Sequence, residues 1–199
     1  ILSNPFANGV YEELVQYAVE AGVPAVQLRY KGEDSRRFLD FALEGRRITN
    51  GTDTLFIVND RPDIAVMSQA DGVHLGQHDV PAEKAREIVG ESRLVGLSTH
   101  NLEQAEAAQS MPLDYIGFGP VWATSSKFNP DPPTGVKALR ECVAMSHKPV
   151  VAIGSIDSAR LEQLFGLHCH NIAVMSAVRN SADPFGEMSI LNKRFKEAS

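Results

Sequence analysis

The stretch LFIVNDRPDIAVMSQADGVHLGQHD, residues 55–79, decides the fold. It contains two short apolar runs, Leu55–Val58 and Gly72–Leu75, without the regular polar alternation of a half-exposed strand. Runs of this kind are typical of parallel strands that are buried on both faces. Between them, Pro62 marks a helix start, because proline is well tolerated at a first helical position. The stretch therefore predicts one strand–helix–strand unit of a parallel sheet.

The same alternation continues in both directions along the chain. Ile1–Ser3 is interpreted as the remnant of a first strand, and the remaining apolar runs are Ala25–Leu28, Leu94–Leu97, Tyr115–Phe118, Val150–Ile153 and Ile172–Met175. Amphipathic patterns separate them, with Asp34, Pro81, Asn101 and Asp157 at the expected helix starts. Units of about 25 residues fill the chain without a linker. The prediction is an α/β fold, one (β/α)8 TIM-barrel domain over residues 1–199, with a doubly wound open sheet as the competitor. Because the chain starts at Ile1, we expect a few residues to precede it.

Composition narrows the functional classes. The net charge of −6 argues against a nucleic-acid-binding surface. No apolar run approaches the roughly 20 residues that span a bilayer, so no membrane partner is expected. Cys142 and Cys169 lie far apart, which indicates a reducing compartment, interpreted as the cytoplasm, and no disulfide framework. A homodimer is compatible with this composition.

The candidate site follows from the predicted barrel, in which residues at strand ends and in the following loops face the active site. Arg29, Lys31 and Lys127 supply cations that could converge on one diphosphate. Asp60 and Asp79 follow neighbouring strands and suit Mg²⁺, which takes oxygen ligands and often bridges protein to phosphate. The segment 122–134 is a long irregular loop, and a loop of this length is usually functional.

A second phosphate site is predicted at the other side of the barrel mouth. Gly154 and Ser155 precede a helix start expected at Asp157, and backbone N–H groups at such a start favour an anion. Ser155 is expected to have a negative φ, so that its hydroxyl can donate to the phosphate. Met175 and Ser176 end the last strand, where barrel phosphate sites are often built. Two phosphate sites imply two phosphorylated small-molecule substrates.

The histidines outside this set are interpreted as structural. His74 and His78 lack an obvious third metal ligand and are assigned to packing or to the surface. His168, Cys169 and His170 form a ligand-like cluster, but they precede the last strand, at the end opposite the presumed active site.

The chain resembles the thiamine phosphate synthase family in a series of segments that run in the family's order along nearly the whole length. They are QLRYK (27–31), VNDRPDIA (58–65), ADGVHLGQHD (70–79), GLSTHN (96–101), DYIGFGPVWATSSK (114–127), PVVAIGSI (149–156) and AVMSAV (173–178). The resemblance implies the coupling of hydroxymethylpyrimidine diphosphate to a thiazole phosphate, with release of pyrophosphate, a Mg²⁺ cofactor and a dissociative step.

The resemblance also implies residue roles. Asp60 and Asp79 would bind Mg²⁺, and Ser98 would contact the pyrimidine or the pyrophosphate. The residues that would hold the pyrimidine diphosphate are Gln27, Arg29, Lys31, Asn59 and Lys127. Those around the thiazole phosphate would be Thr124, Ser126, Ser155, Met175 and Ser176. Arg29, Lys31, Ser98 and Lys127 would form the catalytic set.

The chain departs from the family pattern in a few places. The family's Gly-Gly after strand seven is Gly154-Ser155, and its usual Gly-Ala-Asp-Gly before strand eight is His168-Cys169-His170-Asn171. One alternative is the related thiazole tautomerase, an isomerase that tends to lose the metal-binding acids and would use His100 for proton transfer. The other is a non-catalytic barrel that binds phosphorylated ligands.

Overall fold

The computed structural model describes residues 1–3, 10–124 and 131–198, and its strands form one eight-stranded parallel sheet in chain order. The strands are β1 (Leu2–Ser3), β2 (Ala25–Arg29), β3 (Leu55–Asn59), β4 (Gly72–Leu75), β5 (Leu94–Thr99), β6 (Tyr115–Phe118), β7 (Val150–Ile153) and β8 (Ile172–Ala173). This order confirms the predicted (β/α)8 arrangement and excludes the doubly wound sheet, in which the strand order reverses partway.

The first and last strands meet through the start of the chain. The Ile1 amino group donates to the Val174 carbonyl over 2.6 Å, just beyond β8. β8 ends at Ala173, two residues earlier than predicted, because Met175 already caps the helix that follows. Burial lowers the pKa of the Ile1 amino group to about 6.

Helices follow the strands in turn. They are α1 (Val10–Glu20), α2 (Ser35–Thr49), α3 (Pro62–Met67), α4 (Ala82–Val89), α5 (Leu102–Ala107), α6 (Gly135–Met145), α7 (Leu161–Phe165), α8 (Ser176–Arg179) and α9 (Pro184–Ala198). The N-cap predicted at Asp34 is confirmed, and Asn101 caps α5 in the same way, since each side chain accepts a hydrogen bond from the backbone N–H three residues later. In the described parts of the chain no helix has the length and apolar character that a membrane span requires.

One predicted helix start is wrong. α7 begins at Leu161, not at Asp157. The Asp157 side chain and carbonyl instead close a turn by accepting from the Arg160 N–H at 3.0 and 3.1 Å. Asp157 satisfies the backbone as an N-cap residue would, but residues 158–160 form a turn and the α-helix begins only at Leu161. The segment after Ser155 is therefore not the helix N-terminus that the predicted phosphate cradle required.

Two carboxylates, of Asp71 and Asp114, link neighbouring strands at their amino ends. Asp71, before β4, accepts from the Phe56 N–H of β3 at 2.7 Å and pairs with Arg46 of α2 at 3.0 Å. Asp114, before β6, does the same for β5, accepting from the Val95 N–H at 2.7 Å. These contacts lie at the end of the barrel opposite the predicted site, where structural roles are expected.

Candidate active site

A cavity of about 830 Å³ occupies the interior of the sheet. Its walls are made by alternate residues of the strands, because successive side chains of a strand point to opposite faces. Eight of the residues predicted to form the site line it: Gln27, Arg29, Lys31, Asn59, Asp60, Asp79, Ser98 and Met175. The strand register thus brings side chains from β2 to β5 together.

The cationic side of this cavity is formed by Arg29 at the end of β2 and by Lys31 just beyond it. Arg29 Nη1 donates to Ser3 Oγ at 2.9 Å, which fixes the direction of the guanidinium. Burial lowers the pKa of Arg29 below its ordinary value, and the charge of Asp60 opposes that effect. Lys31 Nζ forms an ion pair with Asp60 Oδ2. Arginine stays charged in proteins, so the two residues place fixed positive charge at this edge.

The acidic side is formed by Asp60 after β3 and Asp79 after β4. Asp60 has a φ of 67°, a left-handed conformation that Asp and Asn tolerate better than most residues. Its N–H donates to the His74 carbonyl at 2.8 Å, and Asp79 Oδ2 accepts from the Gly76 N–H at 2.7 Å. Burial, and then a hydrogen bond with Asp60, raise the pKa of Asp79 to about 6.

The floor beside these charges carries Ser98 of β5. Ser98 is buried, its Oγ lies 2.9 Å from His74 Nε2, and its carbonyl accepts from Gln77 Nε2 at 2.6 Å. His74 is also buried, in agreement with the packing role predicted for it. We call the group Arg29, Lys31, Asn59, Asp60, Asp79 and Ser98 the charged subsite.

A second cavity of about 80 Å³ adjoins the first. Its walls include five of the residues predicted around the second phosphate: Thr124, Gly154, Ser155, Met175 and Ser176. We call this group the small subsite. His100 and Asp131 line both cavities, so they stand at the border between the two subsites.

The conformation predicted for Ser155 is wrong. Its φ is 51°, and Gly154 before it has a φ of 101°, so two consecutive residues lie in the left-handed region. A non-glycine residue there costs roughly 1–2 kcal/mol. The Ser155 hydroxyl donates to the Ala123 carbonyl at 2.7 Å and ties the loop after β7 to the loop after β6. The hydroxyl therefore braces the wall of the small subsite.

Two predicted site residues, Ser126 and Lys127, lie outside the described residues, as does the neighbouring Ser125. Their assignments to the thiazole phosphate and the diphosphate stay predictions. Of the His168–His170 cluster, Cys169 is buried and its Sγ lies 3.4 Å from the Asn171 carbonyl. These residues precede β8, at the end of the sheet away from the charged subsite, as predicted.

Two residues of the site, Asp131 and Arg160, were not predicted from the sequence. Asp131 Oδ2 lies 3.5 Å from His100 Nε2, while His100 Nδ1 lies 2.5 Å from the Gly119 carbonyl. Arg160 donates to the Ser155 carbonyl, and its guanidinium lies 5.2 Å from the centroid of the Trp122 ring. Apart from the local contact between Arg160 and Ser155, these contacts join segments 19 or more residues apart in the sequence. A motif confined to one strand end could not have predicted them.

Comparison with known proteins agrees with the family resemblance. A family model described as thiamine monophosphate synthase matches residues 3–178. The thiamine-phosphate synthase of Vibrio campbellii is 41% identical over 173 residues, which cover 87% of this chain and 85% of that protein. Thiamine-phosphate synthase 1 of Aquifex aeolicus is 37% identical over 183 residues, covering 92% and 85%.

A solved structure gives the same result for the fold. The thiamine phosphate pyrophosphorylase of Pyrococcus furiosus superposes with a TM-score of 0.90 at 33% identity, covering 99% of this chain and 94% of that one. The matched region contains strands β2 to β8, Ser3 of β1 and the described residues of both subsites. On these grounds, the chain belongs to the thiamine monophosphate synthase family.

Proposed function

We propose that this chain is a thiamine-phosphate synthase, a transferase that joins hydroxymethylpyrimidine diphosphate to a thiazole phosphate and releases pyrophosphate. The observation that carries the proposal is the pair of adjoining cavities. The larger one has cations and acids at one edge, and the smaller one is bordered by the loops after β7 and β8. The shared border at His100 and Asp131 would bring the reacting ends of two ligands together.

In this proposal the charged subsite holds the diphosphate and stabilises it as it leaves. Arg29 and Lys31 offer charge-assisted hydrogen bonds to its oxygens, and Lys127 is assigned to the same task. Gln27 and Asn59, which line the cavity beside them, would orient the pyrimidine. Fixed donors aimed at developing charge are usually the largest contribution to catalysis, because they need no reorganisation during the reaction.

Asp60 and Asp79 are proposed to hold Mg²⁺ together with the diphosphate. The two carboxylates are in contact, and burial, followed by the hydrogen bond with Asp60, raises the pKa of Asp79 to about 6, so the ionised pair is costly without a cation. A divalent cation with oxygen ligands suits such a pair. When bound, the ion would neutralise charge that develops on the leaving diphosphate. The chain's own acids orient it, while Lys31 keeps Asp60 in place until the ligand arrives.

The small subsite is proposed to hold the thiazole phosphate. Successive backbone N–H groups in a turn can form a concave anion site, and the turn at Gly154 and Ser155 is proposed to act in this way. In a dissociative step the bond between the pyrimidine methylene carbon and the diphosphate oxygen would break first, the oxygen leaving with the electron pair, and the lone pair of the thiazole nitrogen would then form the new bond to that carbon. No proton has to leave the nitrogen, so the chain needs positioning more than a general base.

The cytoplasm and a homodimer are also proposed for this protein. Cys142 and Cys169 are free and buried, which suits a reducing compartment. Leu43 of α2, Met67 of α3 and Ile88 of α4 expose apolar side chains on successive outer helices, where a second copy could pack. Light scattering of the purified chain measures the oligomeric state, and a monomer at all concentrations would contradict the homodimer.

The tautomerase alternative depends on His100. Its imidazole borders both cavities, a place from which it could carry a proton. An isomerase of one thiazole phosphate would, however, leave Arg29, Lys31, Asp60 and Asp79 without a ligand to bind. We therefore expect His100→Ala to reduce coupling only modestly, whereas an isomerase would lose its activity.

The experiment that tests the proposed function is direct. The purified chain is mixed with both substrates and Mg²⁺, and thiamine phosphate and pyrophosphate are quantified over time. We expect equal amounts of the two products, and none when either substrate is omitted. Isomerisation of the thiazole substrate alone, without coupling, would support the tautomerase instead.

A further inference from the structure

In the interior of the barrel, a series of hydrogen-bonded side chains, Tyr115, His74 and Ser98, links three strands next to the charged subsite. Tyr115 of β6 has its hydroxyl 3.0 Å from His74 Nδ1, and His74 Nε2 lies 2.9 Å from Ser98 Oγ. The Tyr115 and His74 rings are stacked, with centroids 5.4 Å apart. The series ends at Ser98, whose hydroxyl reaches the wall of the main cavity.

Two glycines provide the space for this series. A Cβ added at Gly96 of β5 would collide with the Tyr115 ring, and one added at Gly117 of β6 would lie 3.3 Å from His74 Cε1. Either side chain would push an aromatic ring away from its partner. The barrel therefore gives up interior volume on β5 and β6 at the two positions where the His74–Tyr115 pair needs it.

The direction of the hydrogen bonds can be derived from the groups. A neutral imidazole has one N–H and one acceptor nitrogen. Of its hydrogen bonds with Tyr115 and Ser98, His74 therefore donates one and accepts the other. A phenol is intrinsically more acidic than an aliphatic hydroxyl and is the stronger hydrogen-bond donor, and burial raises the pKa of Tyr115, so its proton stays on the oxygen. Among the residues that the structure describes, the imidazole is the hydrogen-bond partner of the Tyr115 hydroxyl.

These facts favour one tautomer. Tyr115 donates to Nδ1, and Nε2–H donates to Ser98 Oγ. Because the serine oxygen accepts from the imidazole, its own hydrogen is left to point into the cavity. In the opposite tautomer the serine hydrogen would be used up on Nε2, and only lone pairs would face the ligand.

We propose that His74 and Tyr115 are positioning residues that hold Ser98 as a hydrogen-bond donor towards the cavity. The ligand atom that meets Ser98 must then be an acceptor, either a nitrogen of an aromatic ring or an oxygen of the diphosphate. The identity of the ligand atom rests on the proposed function, but the direction of the hydrogen bonds between Tyr115, His74 and Ser98 does not.

The first test reads the tautomer without any turnover. A long-range proton–nitrogen correlation spectrum of the chain labelled with ¹⁵N-histidine distinguishes a protonated from an unprotonated imidazole nitrogen. We expect Nε2 of His74 to carry the proton and Nδ1 to carry none, with His74→Gln used for assignment. A proton on Nδ1, alone or together with one on Nε2, would overturn the proposal.

The second test uses coupling kinetics. Removing the donor in Ser98→Ala should lower kcat/KM by about tenfold or more, and Tyr115→Phe should lower it by about threefold to tenfold. Because Tyr115 acts through the serine hydroxyl, the double variant should be no slower than Ser98→Ala. Multiplying effects would overturn the proposal. Tyr17→Phe, which removes an exposed phenol hydroxyl that donates to Glu13, is the matched control.

A third measurement identifies the acceptor. Inhibition of coupling by inorganic pyrophosphate is compared between the wild-type chain and Ser98→Ala. A weaker inhibition in the variant assigns the acceptor to a diphosphate oxygen, and unchanged inhibition assigns it to a ring nitrogen. A chain that fails to couple the substrates but shows the expected tautomer would contradict the proposed function and leave the orientation of Ser98 standing.

Discussion

The charged subsite and the small subsite adjoin each other but are built in different ways. The charged subsite consists of side chains on strands β2, β3 and β5, where the period of the strand decides which residues face the cavity, and of side chains in the loops that follow β2, β3 and β4. The small subsite depends on backbone conformation at Gly154 and Ser155. A side-chain site can be predicted from strand positions, whereas a backbone site depends on dihedral angles that a short sequence motif specifies poorly.

The largest effect expected from breaking the charged subsite follows Asp60→Asn. Asparagine tolerates the φ of 67° at this position, so the fold should remain while the charge is lost. We expect kcat for coupling to fall by about 100-fold or more, as for other electrostatic contacts made in the transition state. Steady-state assays over a range of Mg²⁺ concentrations measure this loss.

Asp63→Asn is the matched control for that variant. It removes the same charge three positions along, on α3, where Asp63 pairs with Arg61 at 2.6 Å. Coupling should be unchanged in the control. Equal activity of Asp60→Asn and wild type at limiting Mg²⁺ would contradict a metal role for the pair.

A smaller effect is expected on stability, and its sign is set by the raised pKa of Asp79. The folded chain holds a proton on Asp79 up to about pH 6, whereas the unfolded value is 3.8. Ionisation therefore costs stability as the pH rises from about 4 to about 6, and the full cost persists above that range. Without divalent cations, Asp79→Asn should raise the thermal midpoint at pH 8 by about 2–4 °C and leave it unchanged near pH 3.

The pKa of Asp63 is shifted in the opposite direction to that of Asp79, so Asp63 serves as a comparison. A hydrogen bond from Arg61 lowers the pKa of Asp63, so its contribution to stability is present at neutral pH and is lost as the pH falls. Asp63→Asn should therefore lower the midpoint at pH 8 slightly. An unchanged or lower midpoint for Asp79→Asn at pH 8 would show that the ionised, partly buried Asp79 beside Asp60 carries no cost in stability.

The smallest effects are expected in the small subsite, at Ser155. Ser155→Ala loses the hydrogen bond to the Ala123 carbonyl and keeps the left-handed strain, so it should cost about 1 kcal/mol of unfolding free energy. Ser155→Gly loses the same bond but relieves the strain, and should be close to neutral. Urea unfolding of both variants measures the difference. Equal stability of the two would mean that φ at this position stores no strain.

These two subsites also mark how far the sequence could be used for prediction. The apolar runs predicted the bounds of most strands to within a residue or two. Gln27, Arg29 and Asn59 face the cavity, as expected from their alternate positions along these strands. A negative φ was predicted for Ser155, and the observed φ is positive. The prediction was wrong because Asp157 is a residue type that often caps helices, but here it closes a turn before the helix begins. The contact between His74 and Tyr115 joins residues 41 positions apart, and no local pattern encodes it.

The central claim is that the charged subsite binds the diphosphate and the small subsite binds the thiazole phosphate. A pair of calorimetric titrations, one with pyrophosphate and Mg²⁺ and one with thiazole phosphate, tests this claim most directly. Lys31→Ala should weaken pyrophosphate binding by about tenfold and spare thiazole phosphate. Ser155→Asp, which keeps a residue tolerant of positive φ but adds a negative charge, should do the reverse, with Ser155→Asn as the neutral control. If either variant weakened both ligands equally, or if neither weakened its own, the two subsites would not be the separate phosphate sites described above.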